Sequence, residues 1–310
     1  MDTVELSPIT VTGKRLHPSS FQSRELSMQF TLLKDGQTFS DKTSDTIDLS
    51  GFRCRAHIES SAVDLALGRL TLQIFGMKMA DMVKLSTDGY RPFEHGLASI
   101  ALSAGNKEKG MYQIYKGTVM SGHIDINMPE ASIILMATPS WEASLTNNPP
   151  NSYKGEVDVA SLMESLAKQM NHAFINNGVT KKVRNPYYTG SIKDQLKTIA
   201  ESTQTICVIE NDTVTIWNNG SARDDITIEL SPETGLIGYP TFDHSFIILK
   251  SIFNPNFILG SRINVVSDFE KANGITHAFQ VIHEISTLED NAPWFTTIFG
   301  QKDTWFGSQN

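Results

Sequence analysis

The period of the hydrophobic pattern changes twice along the 310-residue chain, and those changes limit the fold more than any single motif. From Met28 to about residue 140 apolar residues recur at every second position: Ile47 and Leu49, then Phe52, Cys54, Ala56 and Ile58, then Leu70, Leu72 and Ile74. That is the pattern of half-buried β-strands. Beyond Glu156 the spacing becomes helical. Val159, Leu162, Met163, Leu166, Met170 and Phe174 fall on one stripe, which predicts an amphipathic helix closed near Asn177–Gly178. Period two then returns in DDITIELS, HSFIILKSIF, SRINVVS, HAFQVIHEIS and WFTTIFG, out to Gly300.

The expected class is therefore α+β and mostly β, with two barrel-like β domains of similar plan separated by a small α+β domain. The polar stretch TNNPPNSYKGE marks the first boundary. We divide the chain into an N-terminal arm (1–27), a first β unit (28–145), an α+β insert (155–222), a second β unit (223–300) and a C-terminal tail (301–310). KDGQTF, with Asp35–Gly36, reads as a hairpin turn. In the insert, Ser191 with Asp194 three residues on forms a capping box for a helix burying Ile192, Leu196 and Ile199. TICVIENDTVTIWNNG reads as a hairpin around Asn211–Asp212.

The two β units echo one another. LTLQIFGMKMADMVKLS can be laid beside FIILKSIFNPNFILGSRINVVS, and MYQIYKGTVMSGHIDINMPEASIILMAT beside HAFQVIHEISTLEDNAPWFTTIFG. Each member of the second pair runs strand, turn, strand, with an acid and a proline in the connection (Pro129 and Glu130; Asp290 and Pro293). Either one chain carries two copies of one unit, or two generic hairpins look alike.

Composition excludes several function classes. The 26 basic and 34 acidic residues give a net charge of −8, the wrong sign for a nucleic-acid binder. Cys54 and Cys207 stand alone, without a CxxC pair, and read as reduced, semi-buried thiols. MDTVELSPIT has neither a basic head nor an apolar run, so no signal peptide is expected. No apolar stretch reaches the ~18 residues of a spanning helix, so no membrane insertion is expected. The eight histidines form no HExxH, and from the His–acid neighbours HID at His123 and HE at His283 no metal site is expected. There is no GxSxG and no phosphate loop. Asp224–Asp225 is a carboxylate pair without support for glycosidase chemistry. We expect no catalytic residue, no metal and no cofactor.

The ordered motifs resemble a known family. DDITIELSPETGLIGYPTF, IFNPNFILGSRINVVS and HAFQVIHEISTLEDNAPWFTTIFG are similar to the last unit of the baseplate hub protein of contractile-tailed bacteriophages. SYKGEVDVASLMESLAKQM through NDTVTIWNNG is similar to the insert of the same hubs, and LQIFGMKMADMVKLS fits their first barrel. The hub part of type VI secretion spike proteins shares the plan. The resemblance covers roughly Met28 to Gly300 and assigns nothing to the N-terminal arm.

What it implies is a virion protein without enzymatic activity, assembled in the host cytoplasm. Such a hub is a homotrimer whose paired barrels form a pseudo-hexameric ring. The ring continues the tail tube, holds the central spike, meets other baseplate proteins and lets DNA pass without specific binding. On that reading some of Asp225, Glu229, Glu233, Asp268 and Glu270 border the bore, where acids would repel DNA; the alternative is ordinary solvated surface. Trp305 and Phe306, past the last strand, are candidates for docking a partner such as the spike, whereas Trp294 and Phe295 suit the core. Gly235, Gly238 and Pro240 in ELSPETGLIGYPTF suggest a structured connector at a domain junction or subunit contact. The competing readings are a cell-wall-degrading baseplate enzyme and a glycan-binding component.

Overall fold

The computed structural model describes residues 24–34, 36–40, 44–62, 68–87, 97–106, 110–127, 130–139, 141–145 and 148–303. Trp305, Phe306, His17, His95 and the Met128–Pro129 connection lie outside them. Alternation makes strands where it was expected. β1 (Glu25–Leu32) sinks Leu26, Met28, Phe30 and Leu32, so Glu25–Ser27 of the expected arm are strand. The hairpin expected at Asp35–Gly36 is wider than two residues. β2 (Thr46–Ser50) pairs with β1 only after Phe39 has buried itself in the core. β3 (Cys54–Ser61) and β4 (Arg69–Phe75) follow, then α1 (Met79–Leu85). β5 (Ala98–Asn106), β6 (Gly110–Asp125) and β7 (Ser132–Thr138) complete the first unit.

A short α2 (Trp141–Leu145) leads into the insert. Its small strands β8 (Asn151–Ser152) and β9 (Glu156–Asp158) precede α3 (Val159–Gln169) and β10 (Ala173–Asn177). β11 (Lys182–Arg184), β12 (Tyr187–Tyr188) and α4 (Ile192–Thr203) lead to the hairpin β13 (Thr205–Glu210) and β14 (Thr213–Asn218). α3 is shorter than its apolar stripe implies: Asn171 turns left-handed at φ 56°. Phe174 then continues the stripe from β10, which runs parallel to β14. Ser191 and Asp194 do form the capping box of α4. Asn211 and Asp212, at φ 48° and 57°, make the two positive-φ positions that a tight hairpin needs. The insert encloses its own core, from Val159, Met163 and Leu166 to Leu196, Val214 and Ile216.

The last unit contains β15 (Thr227–Leu230), β16 (Thr241–Phe242), β17 (Ile247–Ile252) and β18 (Arg262–Val265). A 3-10 turn (Glu270–Ala272) then leads to β19 (Gly274–Thr287) and β20 (Trp294–Lys302). The two β units were expected as separate barrels. The structure instead joins them in one 13-stranded sheet, ordered β16-β17-β20-β19-β3-β4-β7-β6-β5-β1-β2, with β18 and β15 branching from β19. Among the described residues the path is open, ending at β16 and β2, and forms no closed barrel. The join is β3, which pairs with β19 on one side and β4 on the other.

Within that sheet the same six-strand topology occurs twice. The first set runs β3-β4-β7-β6-β5-β1 and the second β16-β17-β20-β19-β18-β15. Numbered along the chain, each set has the order second, third, sixth, fifth, fourth, first. The registers agree in detail. β6 carries a bulge between Val119 and Ser121 against β7, and β19 a bulge between Ala278 and Gln280 against β20. Anchored there, Ala137 corresponds to Gly300, Leu135 to Ile298, Leu70 to Ile247 and Leu72 to Leu249. All eight are buried. The copies differ in that β1 meets β5 antiparallel, whereas β15 meets β18 parallel.

Candidate assembly surfaces

The contact between the two copies is built along β3 and the second half of β19. Eight residue pairs run from Cys54↔Thr287 to Ser61↔Gln280. Cys54 Sγ lies 3.1 Å from Thr287 Oγ1, and Gln280 donates to Glu59 at 2.7 Å. Arg55 reaches Glu289 at 2.8 Å, and Arg53 reaches Glu130 at 2.9 Å. Arg53 also stands 4.0 Å from Glu289, so it touches the turns of both equivalent hairpins. Its guanidinium lies 3.8 Å from the centre of the Phe75 ring, which fixes it in place. Trp294 packs edge-on against Phe253 and joins the core of the first unit through Ile285.

His283 sits in the middle of this contact, facing Ile58 across the ladder. Both are buried. Its Nδ1 meets Thr296 Oγ1 at 2.9 Å, and the Phe257 carbonyl accepts from the ring. Burial lowers its pKa from 6.5 to about 4, and the Phe257 carbonyl offsets only part of that. His283 is therefore a neutral core side chain. The thiols lie deeper than the semi-buried sites expected: Cys54 and Cys207 are both buried, and desolvation raises both, Cys207 to about 12. A thiol held protonated is a poor nucleophile. Among the described residues no group of three His, Cys, Asp or Glu side chains could hold a metal, and no helix is long and apolar enough to cross a membrane.

The insert docks through a residue that no motif marked. Arg223, half-hidden in the turn after β14, pairs with Glu210 at 2.7 Å. It lies 5.6 Å from the Trp217 ring centre, and Trp217 packs with Val208 and Leu259. Gly260, at φ 83°, lets the chain pass: a Cβ there would come within 2.6 Å of Arg223 Cβ and 2.8 Å of Trp217. At the insert's other edge Lys116 pairs with Asp212, and Gln113 donates to Asn211 at 3.3 Å.

The candidate acids are all exposed. β15 and β18 run parallel, with Glu229 opposite Asn264. Their C-terminal ends therefore lie together; Glu229 is the last residue but one of β15, and Glu233, Asp268 and Glu270 come after the two strands along the chain. Asp225 precedes β15 and lies at the other end. The connector is not between the insert and the sheet. It lies inside the last unit, between β15 and β17. Leu236 bridges to Ser251, and Ile237 N–H donates to Lys250 O at 2.7 Å. Gly235 (φ 117°) and Gly238 (φ 67°) interrupt this line, Pro240 is buried, and β16 resumes it at Thr241. ELSPETGLIGYPTF is thus a broken strand at the sheet's end, with Tyr239 69% exposed.

Solved structures of low identity share this architecture. The prophage MuSo2 43 kDa tail protein from Shewanella oneidensis superposes with a TM-score of 0.62 at 8% identity, over 91% of this chain and 98% of that one. The tail protein from Neisseria meningitidis MC58 gives 0.55 at 12% identity, over 90% and 97%. A PdpA–VgrG complex gives 0.52 at 7%, over 91% and 65%. The fold is thus one that phage tail proteins use. The model of the family described as Baseplate hub gp41 matches residues 42–285, most of the chain. The chain belongs to that family and is a structural component of a phage tail baseplate. Comparison with curated proteins gives no match.

Proposed function

We propose that this protein is the central hub of its baseplate, a homotrimer in which two similar β units per chain give a pseudo-hexameric ring. The observation that supports this best is the doubled six-strand topology with matching bulges. A chain with two like halves lets a three-fold assembly meet a six-fold tube. The ring joins the tail tube to the central spike, and DNA passes through it on ejection without specific binding. The barrel-like plan of each unit, and the division into 28–145, 155–222 and 223–300, belong to the same proposal. Glu229, Glu233, Asp268 and Glu270 are its candidates for the bore, with Asp225 set apart from them. Trp305 and Phe306 are its candidates for docking the spike. The hub has no catalytic role, is assembled in the host cytoplasm and works in the virion. Light scattering on the purified protein tests this: a mass about three times 34.3 kDa supports the ring, and a monomer at the highest soluble concentration counts against it.

A further inference from the structure

The chain makes the contact between its two copies once, by laying the second half of β19 along β3. In the topological correspondence β19 matches β6, and β3 matches β16. The same contact made a second time would lay β6 along β16. Within one chain these strands are seven places apart in the sheet order. The remaining route is between chains.

We propose that the outer edge of β16 takes the second half of β6 from a neighbouring copy of this chain, with Phe242 opposite Ile124 and Thr241 opposite Asp125. The register follows from the internal pairs. The matching bulges equate Gln280 with Ser121, His283 with Ile124 and Glu284 with Asp125. Ile58 faces Leu70 as Phe242 faces Ile247, and Leu70 and Ile247 are equivalent. Ile58 and His57 therefore correspond to Phe242 and Thr241. Inside the chain His283 faces Ile58, and Glu284 faces His57.

Exposure separates the used contact from the unused one. Ile58 is 3% exposed and His283 7%, whereas Phe242 is 39% exposed although its ring packs on Phe269. β16 ends the sheet, with no strand on its outer side among the described residues. On β6, among the described residues, pairing with β5 stops at Val119. Gly122 O accepts from Thr87 N at 2.9 Å on that flank. Ile124, two residues on, turns its backbone to the same flank. Apolar side chains stand beside both strands: Tyr239 (69%) two residues before Thr241, Ile126 (66%) next to Asp125, and Val83 (57%) on α1. The Cβ of any residue replacing Gly122 would fall 1.9 Å from Leu85 O, so α1 is held tightly against this stretch. Pro240 has no N–H, so the ladder stops after two residues, and the edge cannot recruit an indefinite sheet. The contact is heterologous, a different surface on each partner, and closes into a ring only if the rotation fits. The number of copies rests on the trimeric reading above; the pairing does not.

The test is the double variant Ile124→Cys with Phe242→Cys in the full chain, oxidised mildly and run on a non-reducing gel beside each single variant. A disulfide needs Cα atoms about 4.4–6.8 Å apart, which opposed strand positions satisfy. Covalent trimers from the double variant, and none from the singles, is the expected result. Phe242→Lys, with circular dichroism to confirm the fold, is expected to lose the trimer in light scattering. A wild-type trimer that neither cross-links nor responds to Phe242→Lys overturns the edge pairing and leaves the trimer standing. Cross-linked species of another closed number support the pairing and overturn the trimer. A wild-type monomer whose double variant does not cross-link overturns both.

Discussion

His283 gives the structure an acid sensitivity that can be worked out beforehand. Burial lowers its pKa from 6.5 to about 4 in the folded protein. Between those values the unfolded chain binds a proton that the folded chain refuses, so stability falls as pH drops from 6.5 towards 4. Well above pH 6.5 neither state is protonated there and the residue contributes no pH dependence. The whole gap corresponds to about 3 kcal/mol, and about 2 kcal/mol of it is lost by pH 5. His283→Gln keeps a donor for the Phe257 carbonyl and an acceptor for Thr296 but cannot titrate. Urea denaturation of both proteins at pH 7.5 and pH 5 isolates the effect, because His57, His277 and the carboxylates are common to both. The wild type is expected to lose about 2 kcal/mol more than the variant between the two pH values. Equal losses would refute the reasoning, since they would mean that the imidazole is hydrated or already charged in the fold.

Most strands were legible because their alternation is written in large side chains. Leu70, Leu72 and Ile74 in β4 and Ile247 and Leu249 in β17 are examples. β5 was not legible. Its buried positions include Ala98 and Ala104, and Ser99, Ser103 and Gly105 lie between, so only Ile100 and Leu102 carry the signal. The helical stripe outruns α3 because Phe174, on β10, falls on it although Asn171 has already ended the helix. The single sheet was beyond local pattern altogether. β3 and β19 each read as a half-buried strand, and nothing within either one says that its partner lies more than 200 residues away. For the same reason the stretch with Gly235, Gly238 and Pro240 read as a connector. Its role as an edge depends on β17 beside it and on the first copy for comparison. The acids were visible as acids, but the parallel β15–β18 pair, whose C-terminal ends lie together, was not.

Three substitutions test the packing described here. Gly122→Ala would drive a Cβ into Leu85 O, a backbone atom, and is expected to cost about 3 kcal/mol or more in thermal or urea melts. Ser191→Ala removes the side chain that accepts from Asp194 N–H and is expected to cost about 1 kcal/mol by the same assay. Arg223→Met leaves Glu210 without its partner at the insert junction; a loss of about 2 kcal/mol is expected, accompanied by a change in Trp217 fluorescence, and an unchanged spectrum would mean that the junction is held elsewhere. The last prediction concerns the insert itself. Val159, Met163, Leu196, Val214 and Ile216 close one core without help from either β unit, while Val208, Trp217 and Ile206 form a separate apolar cluster with Leu259 and Ala62 at the sheet. A fragment of residues 148–222 is therefore expected to fold alone, with native helix content and a cooperative melt, while Trp217 becomes solvent-exposed. A fragment that stays unfolded would show that docking, not its own core, holds the insert, and that the chain folds as one unit.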